Sequence, residues 1–235
     1  MAGLKAGAHQ IMSNNNIIDF RGATFGFPGQ TPLFTKLSLS IQKGAFYLVK
    51  GSSGAGKTTF LRLINRLEEP MSGEIRFKGK PVSAYPPPEL RRSLLYIQQT
   101  PTMVDGSVEE NLLLPFSFKN NLHLDRPHPK KLENLLRDVH LQGVGMNDHA
   151  MTLSVGQIQR LCLIRGLLLD PEVLLLDEPT SALDRESALA VTTLLERLNV
   201  ESGLTVLAVT HKTHGQRNVA PRCLEVKDGG IREII

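Results

Sequence analysis

Between residues 17 and 41 apolar and polar positions alternate, and the alternation breaks at Phe27-Pro28-Gly29-Gln30. A period of two interrupted by a Pro-Gly pair predicts two antiparallel strands joined by a turn. Residues 45–50 then predict a short apolar strand that runs into a Gly-rich turn and a helix over 61–67, and residues 74–78 a further strand. Pro86-Pro87-Pro88 is incompatible with helix interior, so this stretch predicts a rigid connector into a short helix over 89–92, followed by a strand over 93–97 that ends at Gln98-Gln99. From residue 106 to about 145 the period becomes helical, with amphipathic pieces over 108–114 and 131–140 around a polar, Pro-broken stretch at 119–129. That segment predicts a helical lobe inserted into a sheet domain. Ser154 is a candidate N-cap for a helix running to Asp170, where Pro171 ends it.

The last third carries a different signal. Val173-Leu174-Leu175-Leu176 is a continuous apolar run that ends in Asp177 and Glu178, the pattern of a central parallel strand delivering acids to its C-terminal edge. A helix over 185–200 and a second buried strand over 205–210, with His211 at its end, complete another strand-helix-strand unit. Two short strands over 222–226 and 230–234 close the chain. No internal repeat is present, so the arrangement as a whole occurs once in the chain and not twice.

The turn after the strand at 45–50 carries the chemistry. Gly51-Ser52-Ser53-Gly54-Ala55-Gly56-Lys57-Thr58-Thr59 meets the P-loop requirement for Gly, four residues, then Gly-Lys-Ser/Thr. Its glycines let successive N–H groups converge on phosphate oxygens at the positive end of a helix. Lys57 then supplies a charge for the β- and γ-phosphates, and Thr58 a hydroxyl for the Mg²⁺ that bridges them. Upstream, Phe25 and Phe27 offer rings that either stack on an adenine face, with Phe27 the candidate, or pack within the sheet.

Composition narrows the class. A chain of 235 residues buries about 70% of the surface its unfolded form exposes, so it needs no disulfide or structural metal. Cys162 and Cys223 form no framework, which suits a reducing compartment. No stretch approaches the roughly 20 unbroken apolar residues of a membrane span, and residues 1–16 read as a disordered N-terminal tail without a secretory core. The formal charge of +4 and pI near 9.1 fit an anionic membrane face and a solvated surface equally well. No basic run is interleaved with aromatics, so no nucleic acid is expected as a partner.

With the P-loop, the acid-ended strand, the Gln-ended strand and Leu153-Ser154-Val155-Gly156-Gln157 in this order, residues 17–234 resemble the ATP-binding subunits of ABC transporters. The resemblance implies an α/β fold: a P-loop NTPase with a RecA-like mixed sheet core and an antiparallel β subdomain (17–99 and 158–235), plus an inserted α-helical subdomain (100–157) that carries the signature. It implies that Asp177 holds Mg²⁺ and that Glu178 polarises the attacking water. It further implies that Gln99 reaches the metal, that His211 contacts the γ-phosphate, and that Asp184 belongs to the D-loop, Ser181-Ala182-Leu183-Asp184. The signature residues Ser154, Gly156 and Gln157 would serve ATP held by a second copy, in a head-to-tail homodimer, while Val155 departs from the family's Gly. An integral membrane permease would dock on the region from Gln99 to Glu110, leaving the chain peripheral on the cytoplasmic face of the inner membrane. Gln99-Thr100-Pro101-Thr102, Asp105-Gly106, Glu110-Asn111-Leu112 and Pro115-Phe116 are similar to the FetA (YbbL) type, associated with iron export. Importers of phosphate or amino acids, and soluble ATPases of the superfamily acting on nucleic acid or ribosomes, are the alternatives.

Overall fold

The computed structural model describes residues 15–210 and 219–234. The alternating segment forms β1 (Asn16–Phe25) and β2 (Phe34–Gln42), paired antiparallel. After β3 (Phe46–Lys50), the P-loop and α1 (Lys57–Ile64), β4 (Ser72–Phe77) and β5 (Lys80–Pro81) extend that hairpin into a four-stranded antiparallel sheet of order β2-β1-β4-β5. The chain continues through α2 (Pro87–Ser93), β6 (Leu94–Ile97), α3 (Val108–Leu113), α4 (Pro129–Asp138) and α5 (Val155–Leu167). It ends with β7 (Val173–Asp177), α6 (Arg185–Ser202), β8 (Thr205–Val209), β9 (Arg222–Lys227) and β10 (Gly230–Ile234). The second sheet has the order β10-β9-β3-β8-β7-β6, parallel except for β10.

Both faces of this second sheet are covered, which is why β7 and β8 read as unbroken apolar runs. Side chains alternate between two cores. Tyr47, Val49, Val173, Leu175, Leu207 and Val209 face α1 and the antiparallel sheet. Phe46, Leu48, Leu174, Leu176, Val206 and Ala208 face the other way, into a core shared with α5, α6 and the helices of the inserted segment.

Several element ends differ from the sequence expectation, each for a local reason. β1 begins at Asn16, inside the stretch read as tail, because Asn15 O accepts from Lys43 N at 2.8 Å and Asn16 Nδ2 donates to Asp19 at 3.0 Å. Residues 1–14 lie outside the described residues. Pro87 and Pro88 belong to α2 and not to a connector before it: they fill its first turn, where a missing N–H leaves no bond unmade. α1 stops at Ile64 because Arg66 turns left-handed at φ 57°, and α5 stops at Leu167, ahead of Asp170 at φ 48°.

Candidate functional site

Four parallel strands, β3, β8, β7 and β6, end along one edge, so the segments that follow β3, β7 and β6 meet there. The P-loop follows β3 and hands over to α1 at Gly56, whose φ of 100° is left-handed. A Cβ at Gly56 would stand 2.8 Å from Leu33 Cδ2 and 2.9 Å from Phe34 Cζ, so both backbone and packing require glycine. Lys57 is 8% exposed, and its Nζ donates to the carbonyls of Gly51 at 3.0 Å and Ser52 at 2.8 Å, which staples the loop around the ammonium.

Asp177 ends β7 almost fully buried. Its Oδ2 accepts from Thr58 Oγ1 at 2.7 Å and from Tyr96 Oη at 3.1 Å. Burial, and next the Asp177 carboxylate, hold the Tyr96 phenol well above its ordinary pKa. Glu178 follows, with its Oε2 accepting from Gln99 Nε2 at 3.1 Å. Thr58 and Asp177 thus bring a hydroxyl and a buried carboxylate together beside the Gln99 amide, hard oxygen ligands of the kind a Mg²⁺ ion takes.

These groups border an open cavity of about 620 Å³. Ser53, Gly54, Gly56, Lys57, Thr58, Thr59, Gln99, Asp177 and Glu178 line it, and Phe27 stands at its rim, 42% exposed and edge-on to Phe25 with ring centroids 5.2 Å apart. Gly51, Ser52 and Ala55 shape the loop behind this lining, with Ala55 N donating to Ser52 O at 3.3 Å.

Ser154, Gly156, Gln157 and Asp184 are not among the lining residues. Ser154 caps α5 and forms a reciprocal box with Gln157: Ser154 N donates to Gln157 Oε1 at 2.8 Å, and Gln157 N to Ser154 Oγ at 3.3 Å. Asp184 caps α6, and bonds from the Ser187 N–H and then the Ser187 hydroxyl hold its carboxyl below the usual range. His211 lies outside the described residues. Two polar residues at this edge went unread in the sequence, Tyr96 on Asp177 and Gln159, whose Nε2 donates to Glu178 O at 3.1 Å. Nothing local marks either one, since α5 also carries Gln157, Arg160 and Arg165 and a polar Gln159 does not stand out among them.

The family pattern described as "ABC transporter" matches residues 34–181, more than half of the chain. The chain belongs to the ABC transporter family. As an ATP-binding domain of that family it binds and hydrolyses ATP. It is 36% identical over 183 residues to the "Probable iron export ATP-binding protein FetA" of Escherichia coli K12, covering 78% of this chain and 80% of that one. It is also 36% identical over 212 residues to the "Methionine import ATP-binding protein MetN 1" of Pseudomonas putida, covering 87% of this chain and 62% of the other. The ABC-type transmembrane transporter verA of Clonostachys rogersoniana is 33% identical over 94% of this chain, which spans only 18% of verA. Among solved structures, the dimeric post-hydrolysis state of the ATP-binding cassette MJ0796 bound to ADP and Pi superposes with a TM-score of 0.79 at 28% identity, covering 92% of this chain and 97% of that one. No helix among the described residues is long and apolar enough to cross a membrane.

Proposed function

We propose that this ABC ATPase is the motor subunit of a transporter, that it works as a head-to-tail homodimer, and that it drives a separate membrane permease. The observation that carries the dimer is the separation of its parts: the P-loop, Asp177 and Glu178 border the cavity while Ser154 and Gly156 do not. A second copy turned head to tail brings its α5 N-terminus, with its unsatisfied N–H groups, over the exposed side of the triphosphate. The ATP-binding cassette MJ0796, 28% identical, is dimeric in its ADP- and Pi-bound state, which supports pairing of two copies.

In this reading Phe27 stacks on the adenine, Lys57 and the P-loop N–H groups hold the β- and γ-phosphates, and Ser154 of the partner subunit completes the enclosure with Gly156 and Gln157. Thr58, Asp177 and Gln99 would hold Mg²⁺, which supplies positive charge to the phosphate oxygens. Glu178 orients water in line with the γ-phosphate, His211 is read as that phosphate's contact, and Asp184 belongs to the D-loop that follows Glu178. Preorganised charge in a closed, dry site is what lowers the barrier, so closure by the second copy is part of catalysis. A groove of about 310 Å³ lined by Leu95, Ile97, Gln98, Pro101, Phe118 and Arg165 takes in part of the segment from Gln99 to Glu110 and supports a permease contact there.

The cargo reading is iron export, supported by the likeness to FetA across most of both chains. Methionine import stands as the second reading because MetN 1 reaches the same identity. The catalytic reading predicts that Glu178→Gln retains ATP and elutes as a dimer in size-exclusion chromatography, whereas the wild type turns over and returns to monomer. Turnover that is strictly first order in chain concentration and indifferent to Ser154→Ala would refute the composite site. Iron accumulation in cells that lack the chain, without a change in methionine uptake, separates the two cargo readings.

A further inference from the structure

Glu178 holds a backbone conformation that its own sequence disfavours. Its φ is 51°, in the left-handed region, and it precedes Pro179, which presses the residue before it toward extended backbone. Such a conformation persists only where the surroundings impose it. Three donors converge on the Glu178 carbonyl: Ser181 N at 3.2 Å, Ser181 Oγ at 3.1 Å and Gln159 Nε2 at 3.1 Å. On the other side, Glu178 N donates to Val209 O at 3.1 Å. The Ser181 contacts are local to the turn, whereas Gln159 reaches in from α5, the helix that Ser154 caps.

Gln159 is 3% exposed, and its Oε1 is buried with no hydrogen-bond partner. An unpaired buried amide oxygen is a cost that an apolar side chain of the same size would avoid, so the residue is a poor choice for packing alone. Its Nε2 is the part in use. The same stretch of α5 touches the segment after Glu178 at two more points. A Cβ on Gly156 would stand 3.2 Å from Ala182 O, and Arg160 Nη1 donates to Ser187 Oγ, which donates to Asp184 Oδ2, both at 2.8 Å. The first turns of α5 and residues 178–187 therefore form one packed unit.

We propose that Gln159 is a positioning residue for Glu178: its amide clamps the Glu178 carbonyl and so aims the carboxylate into the cavity. The proposal rests on the reading of Glu178 as the group that orients water. It also gives the two nucleotide sites of a dimer a physical link. The α5 tip serves the nucleotide of the partner subunit, and one turn later the same helix holds the catalytic acid of its own chain.

The test is Gln159→Met, which keeps length and burial and removes the donor, with Gln159→Leu as a second variant should the first fold poorly. The expected result is a saturating kcat lower by about tenfold, the effect of about 1.4 kcal/mol in the barrier. ATP affinity, read by titration with a fluorescent ATP analogue, stays within about twofold, because the P-loop is untouched. The Tm is not lowered, since an unpaired buried oxygen is removed with the donor. In a Glu178→Gln background the same substitution produces no further fall, because the group it positions is gone. An unchanged kcat in a folded variant overturns the proposal, as does a loss that follows ATP affinity or Tm, or an equal loss in the Glu178→Gln background. A wild-type rate no higher than that of Glu178→Gln defeats the reading of Glu178 itself and this proposal with it, and that comparison is made before either Gln159 variant is assayed.

Discussion

Tyr96→Phe removes one hydroxyl from the edge of the sheet and leaves the ring in its packing. Tyr96 Oη donates at 3.1 Å to Asp177 Oδ2, an oxygen that also accepts from Thr58 at 2.7 Å, on a carboxylate that is 4% exposed. A hydrogen bond to a charged group contributes about 1.5–3 kcal/mol, and the surviving Thr58 bond argues for the lower end, about 1.5 kcal/mol. In a domain of this length each kcal/mol moves Tm by about 2–4 °C, so Tyr96→Phe should melt about 3–6 °C lower at pH 7.5 by circular dichroism. The difference also has a pH signature. The folded phenol is held above its ordinary value by burial and then by Asp177, whereas the unfolded chain ionises it near pH 10. The stability supplied by that proton is complete below about pH 10 and is lost as the pH rises further. Denaturant titrations at pH 8 and pH 11 should therefore find the advantage of the wild type over Tyr96→Phe shrinking at the higher pH. An equal or higher Tm for the variant at pH 7.5, or an advantage that is constant between the two pH values, would refute the argument.

Lys57→Met should fold and weaken ATP binding: in the proposed site the ammonium that bonds the Gly51 and Ser52 carbonyls also meets the phosphates, and a charge-assisted bond of about 2 kcal/mol corresponds to roughly thirtyfold in Kd by titration calorimetry. Phe27→Ala should raise the KM for ATP several-fold and leave kcat unchanged, because an exposed rim ring contributes stacking of about 1 kcal/mol to the bound nucleotide in ground and transition states alike. Gly56→Ala should cost about 2–4 kcal/mol in urea unfolding, the sum of a strained left-handed residue and a Cβ driven against Leu33 and Phe34.

What the sequence made legible at this site is what is local or fully buried. The strand-turn-helix of the P-loop could be read because its pattern lies in consecutive residues, and β7 because an apolar run buried on both faces has no reason to run into two acids except at a sheet edge. The helix ends were less legible. Pro87 and Pro88 look like breakers until the chain is known to start a helix at that point, since proline is prohibited from a helix interior and tolerated in its first turn. Long-range pairings left no trace. Tyr96 and Asp177 lie 81 residues apart and meet only because β6 and β7 are neighbours in parallel register, with Tyr96 opposite Leu175. A tyrosine in a short apolar strand carries no sign of which carboxylate its hydroxyl will find, and a glutamine two residues after Gln157 carries no sign that its amide turns inward.

The positions where the backbone departs from ordinary geometry sort by role. Among the described non-glycine residues with positive φ, Arg66, His140 and Asp170 each follow the end of a helix, and Lys78 and Asp228 precede the glycines of hairpin turns. Lys36 sits where the β1–β2 register shifts. At each of these the left-handed residue is how the chain changes direction, and a surface polar side chain meets the requirement. Glu178 follows a buried strand and directly precedes a proline, with no glycine to relieve it, and is held from α5, from Ser181 and from β8. Buried Lys57 and buried Asp177 stand at the same edge, each a charge that burial alone would penalise. Sequences that are locally consistent elsewhere and inconsistent at one edge have put their strain where a group must be aimed. A fold selected only for stability would place a glycine or an extended residue after Asp177. This one keeps a carboxylate there in a conformation that several contacts are needed to maintain, and those contacts run to the helix that a second copy of the chain is proposed to use.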